Sequence, residues 1–495
     1  MTRSVQARGS VLDSVRRLLD EASELYRSDR EVAASLEELR GRLDEPLRVA
    51  LVGSVKAGKS TLLNALLGEH LAPTDARECT KVVTWYRHGA TPSVQAHHSV
   101  DGVVHLPLLR QDSRFELDLG HLDAKSVDQL DVAWPAAALT ELTLIDTPGT
   151  ASISTALSER TQEFVVPGGG VSGADAIVYL LRSLHSSDVD FLRLLNDRTT
   201  GGISMGAIAV LSRADELGAG RLNAMMVVGK AVDKLREDPT LEGACETVVP
   251  IAGLLALAGE TLRQSEFATL VALEALPPST LKSLLVSADR FITLAGEDLP
   301  SPRVRADLMS RFGLFGVRIA VAMIRGGARD APALSHELVQ HSGLDELRRV
   351  IDVHFRRRHP QLKAHALMSA LQQLVRENPR PGSQAIQTAT EEHLADIHPF
   401  NEMKLLGRVR SARFGLGKED LSELDCLLGG HGTSPRDRLN VHSVNLSDNQ
   451  LRERALALFW KWHDLGENPL TEPDTADACR LAARSCEGIL AELDN

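Results

Sequence analysis

The chain has 495 residues, of which 43% are hydrophobic and 25% charged, and its net charge is −12 at pH 7. At roughly 100–200 residues per domain that length means about two to four structural units, and the acidic, mixed-sign balance argues against a general nucleic-acid binder, whose footprint is basic. No apolar run reaches the ~18 residues of a bilayer-spanning helix, and Met1 to Gln6 lack the apolar stretch of a signal peptide, so a cytoplasmic location is expected.

Val11, Leu12, Val15, Leu18, Leu19, Ala22 and Leu25 recur at helical spacing, and Val32, Leu36, Leu39 and Leu43 repeat the pattern. Residues 1–46 therefore read as one long amphipathic helix or a broken pair. From 47 to 258 the pattern becomes α/β. Leu47–Val52, Val82–Arg87, Leu142–Asp146, Ala174–Leu181, Ala207–Ser212 and Val248–Ile251 are short apolar runs, several ending in polar or small residues. Such runs predict a mostly parallel sheet with its chemistry at strand C-termini. From 259 to 495 the stretches 306–325, 333–377, 384–407, 447–465 and 474–493 are helical in period, punctuated by Gly326-Gly327, Pro379 to Gly382, Gly429-Gly430 and Pro469 to Pro473. Gly326-Gly327 with Pro332, and His359-Pro360, read equally as hinges or as plain loops and a static kink. Cys79, Cys245, Cys426, Cys479 and Cys486 show no C-x-x-C spacing, so neither a disulfide framework nor a zinc site is indicated.

The chemistry concentrates at strand ends. Gly53-Ser54-Val55-Lys56-Ala57-Gly58-Lys59-Ser60 lies between the run ending at Val52 and a helical stretch beginning at Thr61. Its glycines let backbone N–H groups curl around a β-phosphate, Lys59 supplies charge and Ser60 a Mg²⁺ ligand. Asp146-Thr147-Pro148-Gly149 provides a carboxylate that holds Mg²⁺ through water and a Gly N–H for the γ-phosphate. Ser212-Arg213-Ala214-Asp215 sits where GTPases carry N/T-K-x-D, whose Asp accepts from guanine N1 and N2, donors adenine does not present. Two departures qualify that match: Ser212 stands for Asn or Thr, and Arg213 for a Lys whose stem lies along the base, a stacking an Arg also performs. Thr80, between the loop and Asp146, is the candidate switch threonine, ligating Mg²⁺ only in the triphosphate state. Loop, Thr, D-T-P-G and S-R-A-D occur in the order of a GTPase. The expected ligands are GTP or GDP with Mg²⁺; a P-loop ATPase is disfavoured by Asp215.

With these residues in view, the chain resembles the bacterial dynamin-like proteins over nearly its full length. The resemblance is carried by Lys56 within the loop, Ala72 to Thr80, Thr84 to Gly89, Ile145 to Gly149, Ser212 to Gly218, Arg311 to Arg318 and Ser342 to Leu347. It implies a dynamin-type P-loop GTPase head with a helical-bundle neck and trunk. It also implies membrane remodelling or maintenance under cell-envelope stress, on the inner face of the plasma membrane, through a homodimer of heads or hetero-assembly with a sister dynamin-like protein. Thr150 follows Gly149 and no Gln is evident to orient water, so in this family the work passes to the phosphate loop, the switch threonine and head dimerisation. Where eukaryotic dynamins use a Ser to help hold a monovalent cation, Lys56 offers its own ammonium for charge stabilisation. The rival reading is a nucleotide-gated partner of the sister protein with little turnover of its own.

Lipid contact is expected to be peripheral if it occurs. Lys404, Arg408, Arg410, Arg413 and Lys418 surround Leu405, Leu406, Val409, Phe414 and Leu416, a mixture that suits an anionic leaflet but is more commonly a solvated face over a bundle core. Phe459-Trp460-Lys461-Trp462 reads as helix packing and Arg356-Arg357-Arg358 as a charged helix surface.

Overall fold

The computed structural model describes residues 11–72, 82–111, 114–117, 119, 120, 122–124, 126–149, 164, 172–182, 188–192, 207–217, 224–236, 241, 245–296, 298–395, 398–410, 414–441 and 446–494. Its strands are β1 (Leu47–Gly53), β2 (Val83–His88), β3 (Ser93–His98), β4 (Gly102–Leu106), β5 (Leu108–Gln111), β6 (Arg114–Leu117), β7 (Val127–Trp134), β8 (Leu142–Asp146), β9 (Ala176–Leu181), β10 (Ala207–Ser212) and β11 (Val248–Ile251). Among the described residues nine form one sheet in the order β11-β10-β9-β1-β8-β2-β7-β3-β4, and β5 pairs with β6 separately.

The five strands from β11 to β8 are mutually parallel. β2 turns antiparallel to β8, and β3 runs antiparallel to both β7 and β4. All six strands expected from apolar runs are present, whereas β3 to β7 were not anticipated. The reason is solvent. β1, β9 and β10 are buried at every residue and so read as continuous apolar runs, while β7 alternates buried with half-buried or exposed positions and β3 carries Ser, Gln and two His. Strands wet on one face give a much weaker signal.

Alternation along β1 feeds two cores. Val49 and Leu51 pack with Leu62, Leu63 and Leu66 of the helix Lys59–Leu67, and the same core takes in Leu347, Val350, Phe355 and Leu362 from far along the chain. Ala50 and Val52 face Tyr179, Leu211, Val228 and Val232 on the opposite side. Residues 339–362 thus help to bury the sheet, although they lie within the stretch expected as neck and trunk.

Three helical cores surround this head. Phe267, Leu270, Phe291, Leu308, Phe312 and Phe315 form one between residues 252 and 338. Val15, Leu19, Tyr26 and Leu36 of the N-terminal pair, Val11–Leu25 and Arg30–Gly41, join Leu367, Leu371, Val375 and Ile386 of the helices His359–Glu377 and Ser383–Ala395. Leu406, Leu424, Leu458, Trp462, Cys479, Cys486 and Ile489 form the third, from the helices His398–Arg410, Lys418–Leu427, Asp448–Glu467 and Pro473–Leu493. The N-terminal break falls at Asp29, whose side chain accepts from Val32 N and starts the second helix.

The expected helix 333–377 is interrupted. Gly343 has φ of 84°, and a Cβ there would sit 2.3 Å from the Pro250 carbonyl, so the chain turns where only glycine fits. A second interruption, Gly313 with φ of 63° inside Pro302–Gly326, carried no proline to announce it. Gly327 caps that helix, and Pro360 sits in the first turn of His359–Glu377, where proline is tolerated.

Several surface readings resolve into packing. Leu405, Leu406, Val409 and Phe414 are buried, as is Trp462, whereas Trp460 is 57% exposed. The Arg356-Arg357-Arg358 reading as a charged surface fits Arg356 and Arg357, which are exposed, and needs correction at Arg358. Arg358 is buried and donates to Leu428 O at 2.8 Å, Arg357 reaches Asp437 at 3.5 Å and Arg356 pairs with Glu141 of the head, so the three tie different units together.

Candidate nucleotide site

β1 lies between β9 and β8, and its C-terminal end must bend immediately. Gly53 performs the bend at φ of 153°, where a Cβ would meet the Leu180 carbonyl at 2.4 Å. Gly58 follows at φ of 96°, and Lys56 takes the left-handed conformation at φ of 61° without being glycine. Ala57 N donates to Ser54 O and Leu62 N to Gly58 O, closing the loop onto the helix that starts at Lys59. The outcome is a curl of N–H groups at a helix N-terminus, the geometry that accepts an anion. Val55 and Lys56 stand exposed at its tip, Ala57 is buried beneath, and Thr61 lies against Gly253.

Lys59 is buried and bridges the loop from below, its Nζ donating to Gly53 O at 2.9 Å and Ser54 O at 3.2 Å. Burial lowers its pKa, an effect the nearby Asp146 opposes. Ser60 Oγ donates to Asp146 Oδ2 at 2.8 Å, while Asp146 Oδ1 is buried without a hydrogen-bond partner. Burial pushes the Asp146 carboxyl up, and the charge of Lys59 and the Ser60 bond pull it back. A hydroxyl beside a carboxylate with one orphaned oxygen is the hard oxygen set that suits Mg²⁺, which favours one or two protein oxygens plus phosphates and water.

Thr147 Oγ1 donates to Leu51 O at 2.8 Å and anchors D-T-P-G beside β1. A Cβ on Gly149 would sit 2.8 Å from Val55 Cα, so glycine is what lets this strand end touch the loop. Across β9, Ser212 Oγ donates to Leu181 O at 3.0 Å, and Arg213, at φ of 51°, donates to Lys56 O at 3.1 Å. Asp215 opens the short helix Ala214–Leu217 half-buried, and desolvation raises its pKa, partly offset by a hydrogen bond to its own backbone.

The structure therefore brings Gly53, Ser54, Val55, Lys56, Ala57, Gly58, Lys59, Ser60, Thr61, Asp146, Gly149, Ser212, Arg213 and Asp215 to one edge of the sheet. Thr80 lies outside the described residues, with the rest of 73–81, and so do Thr150 and Gly218. Sequence reasoning missed two supports. Glu216 holds Arg213 at 2.8 Å and Arg182 at 3.2 Å. Fully buried Asn64 accepts from Leu71 N and Ala72 N and donates to Ala72 O, fixing the exit from the loop helix. A lone Asn within Leu62 to Leu67 was the signal available for the second; the first carried no more than i,i+3 spacing.

Comparison with known proteins agrees with this geometry. Residues 49–200 match the Dynamin family. Isoniazid-induced protein IniC of Mycobacterium tuberculosis is 39% identical over 471 residues, which is 94% of either chain. A bacterial dynamin-like protein of Nostoc punctiforme is 28% identical over 166 residues, 31% of this chain and 23% of that one. A solved oligomerised bacterial dynamin pair aligns over all of this chain and 77% of that one at a TM-score of 0.31 and 13% identity, too slight a likeness to carry argument. With the family match lying over the phosphate loop and near-full-length identity to IniC, the chain belongs to the dynamin family as a bacterial dynamin-like protein with a dynamin-type GTPase domain.

Proposed function

We propose that the protein binds GTP with Mg²⁺, hydrolyses it to GDP and phosphate, and couples that cycle to conformational change in membrane remodelling or maintenance under cell-envelope stress. The observation that carries the enzymatic part is the Ser60–Asp146 bond with the second carboxylate oxygen orphaned, within the charge field of buried Lys59. Lys59 leaves the loop carbonyls for the β- and γ-phosphate oxygens when nucleotide arrives. Ser60 and Asp146 would hold Mg²⁺, Asp146 through water, and the bound ion would supply positive charge against that developing on the phosphates. Gly149 offers its N–H to the γ-phosphate, Thr80 would be a further ligand for Mg²⁺, and Asp215 accepts from guanine while Arg213 lies along the base. Lys56, exposed at the loop tip, stabilises transition-state charge with its ammonium.

The membrane role rests on membership of the family, as does action at the inner face of the plasma membrane through paired heads or with a sister dynamin-like protein. One experiment tests the reading. GTP and ATP turnover are measured over a range of protein concentrations, with Lys59→Ala as the blank. GTP-selective turnover that rises per molecule with concentration is expected, because head pairing completes the site. GTP binding with blank-level turnover throughout would leave the alternative, a nucleotide-gated partner with little activity of its own.

A further inference from the structure

β11 is an edge strand of the sheet, paired with β10 on one side. Its C-terminal end borders the base-reading motif. Ile251 lies opposite Ser212, and the short helix Ala214–Leu217, which carries Asp215, packs against the strand. Two residues on, Gly253 reaches the phosphate-loop helix, where Thr61 Cγ2 lies 3.5 Å from the place a Cβ on Gly253 would take. Residues 250–253 therefore run as a wall between the groups assigned to the base and the helix that starts at Lys59.

An edge strand leaves one row of N–H and C=O groups without a strand partner. Here a turn from far along the chain takes the end of that row. Ser342 O accepts from Ala252 N at 2.9 Å, and Gly343 approaches so closely that a Cβ would sit 2.3 Å from Pro250 O. The turn is itself locked. Ser342 is fully buried, and its Oγ donates to Val339 O at 2.6 Å and accepts from Leu344 N at 3.1 Å. Gly343, at φ of 84°, joins the helices Ala331–Ser342 and Leu344–Ile351. A fixed turn against an edge strand sets the strand's end from the side that β10 cannot reach.

We propose that the Ser342-Gly343 turn is a positioning element for guanine recognition: by holding Pro250 and Ala252 it fixes the strand end on which the Asp215 helix rests, and so the angle at which that carboxylate meets the base, without touching nucleotide. This rests on the GTP reading above. Two features favour it over simple protection of a sheet edge. Both contacts fall at the C-terminal end of β11, beside Ser212 and Asp215. The approach at Pro250 is also one that only glycine allows, a closeness that covering an edge does not require.

The test uses the full-length chain and equilibrium binding of GTP and of inosine triphosphate, whose base lacks the exocyclic amine that Asp215 accepts from. Gly343→Ala sets a Cβ against the Pro250 carbonyl and displaces the strand end. GTP affinity falls roughly tenfold, in the range of one hydrogen bond to a charged group, while inosine triphosphate loses less, so the preference for guanine shrinks. Ser342→Ala loosens the turn without adding bulk; it shows the same change to a smaller extent and stands in should Gly343→Ala fold poorly. Amide exchange at Ala252 speeds up in both, with β1 unchanged. In an Asp215→Ala background neither variant lowers GTP affinity further, as expected if the turn acts through that carboxylate. A parental preference for GTP over inosine triphosphate in the folded variants overturns the proposal, as do equal losses for the two nucleotides or losses that add to that of Asp215→Ala. A parent that does not tell guanine from adenine would instead sink the GTP reading and the base claim with it, while exchange at Ala252 separately decides whether the turn holds the strand end.

Discussion

Arg213 donates from its guanidinium to the backbone carbonyl of Lys56 at 3.1 Å, which joins the base-reading loop to the tip of the phosphate loop. Both residues hold left-handed backbone, at φ of 51° and 61°, a conformation that costs a non-glycine residue on the order of 1 kcal/mol or more and concentrates at functional sites. Arg213 is itself steadied by Glu216. Arg213→Ala removes the tie and the surface along the base but leaves Lys59, Ser60 and Asp146 in place. The Michaelis constant for GTP is expected to rise about tenfold with little change in kcat. Steady-state kinetics check this; a fall in kcat at constant KM would show that the tie acts in the chemical step instead.

Lys56 gives the complementary split. Lys and Ala pay a similar penalty at φ of 61°, so Lys56→Ala removes the exposed ammonium without relieving the backbone. GTP should bind as it does to the parent, and turnover should fall roughly tenfold if the charge acts on the transition state. Equal turnover in the two proteins would assign the side chain no more than background attraction to phosphate.

Gly149→Ala probes the contact between D-T-P-G and the loop. A Cβ would lie 2.8 Å from Val55 Cα, which is backbone and cannot swing aside as a side chain would. The loop must shift, and a displacement of a few tenths of an ångström at a phosphate is expected to lower kcat by at least tenfold. The fold should survive, because the contact is at a loop tip. Circular dichroism alongside GTP turnover separates the two effects.

Legibility in the sequence followed solvent exposure and chain distance. The parallel half of the sheet and its strand-end residues were readable because β1, β9 and β10 are buried at every residue and mostly apolar, and β1, β8 and β10 each lead into the motif they position. β7 was not, since Asp128, Gln129 and Asp131 interleave with its buried residues. The return of Phe355 and Leu362 to the core beside Leu47 was equally hidden, because helical period says that a face is buried and not against what. Arg311 illustrates the same limit outside the site: an arginine in an amphipathic helix looks alike whether it meets water or a histidine 241 residues away.

His365, in the helix His359–Glu377, is expected to make the bundle that helix forms with the N-terminal pair acid-sensitive. Burial alone drives its pKa from the usual 6.5 to about 4, so the folded bundle keeps the ring neutral where an unfolded chain protonates it. Between those values the unfolded state binds more protons, and stability falls as pH drops from about 6.5 to about 4, by up to about 3 kcal/mol. His365→Leu should flatten that part of the profile. Chemical denaturation at pH 7, 5.5 and 4.5 reads the difference, and an unchanged slope in the variant would assign the acid loss to other groups.

The joint between the N-terminal pair and the head is a buried ion pair. Arg42 Nη2 lies 2.6 Å from Asp175 Oδ1 with both side chains almost fully out of water, Asp175 Oδ2 accepts from Arg48 N at 2.9 Å, and Arg42 Nη1 donates to Ser172 O at 2.9 Å. Arg42 and Asp175 are each other's charged partner in the pair, so removing one strands the other in a buried site. Arg42→Met or Asp175→Leu should each cost about 3–5 kcal/mol, and 1 M salt should barely change the loss, since a buried pair is poorly screened. The double variant leaves neither member of the pair buried without its partner and should lose less than the sum of the singles. It should not recover fully, because Arg48 N and Ser172 O still lack their partners. Denaturation of the four proteins measures the coupling, and strictly additive losses would mean that Arg42 and Asp175 stabilise the joint through separate contacts.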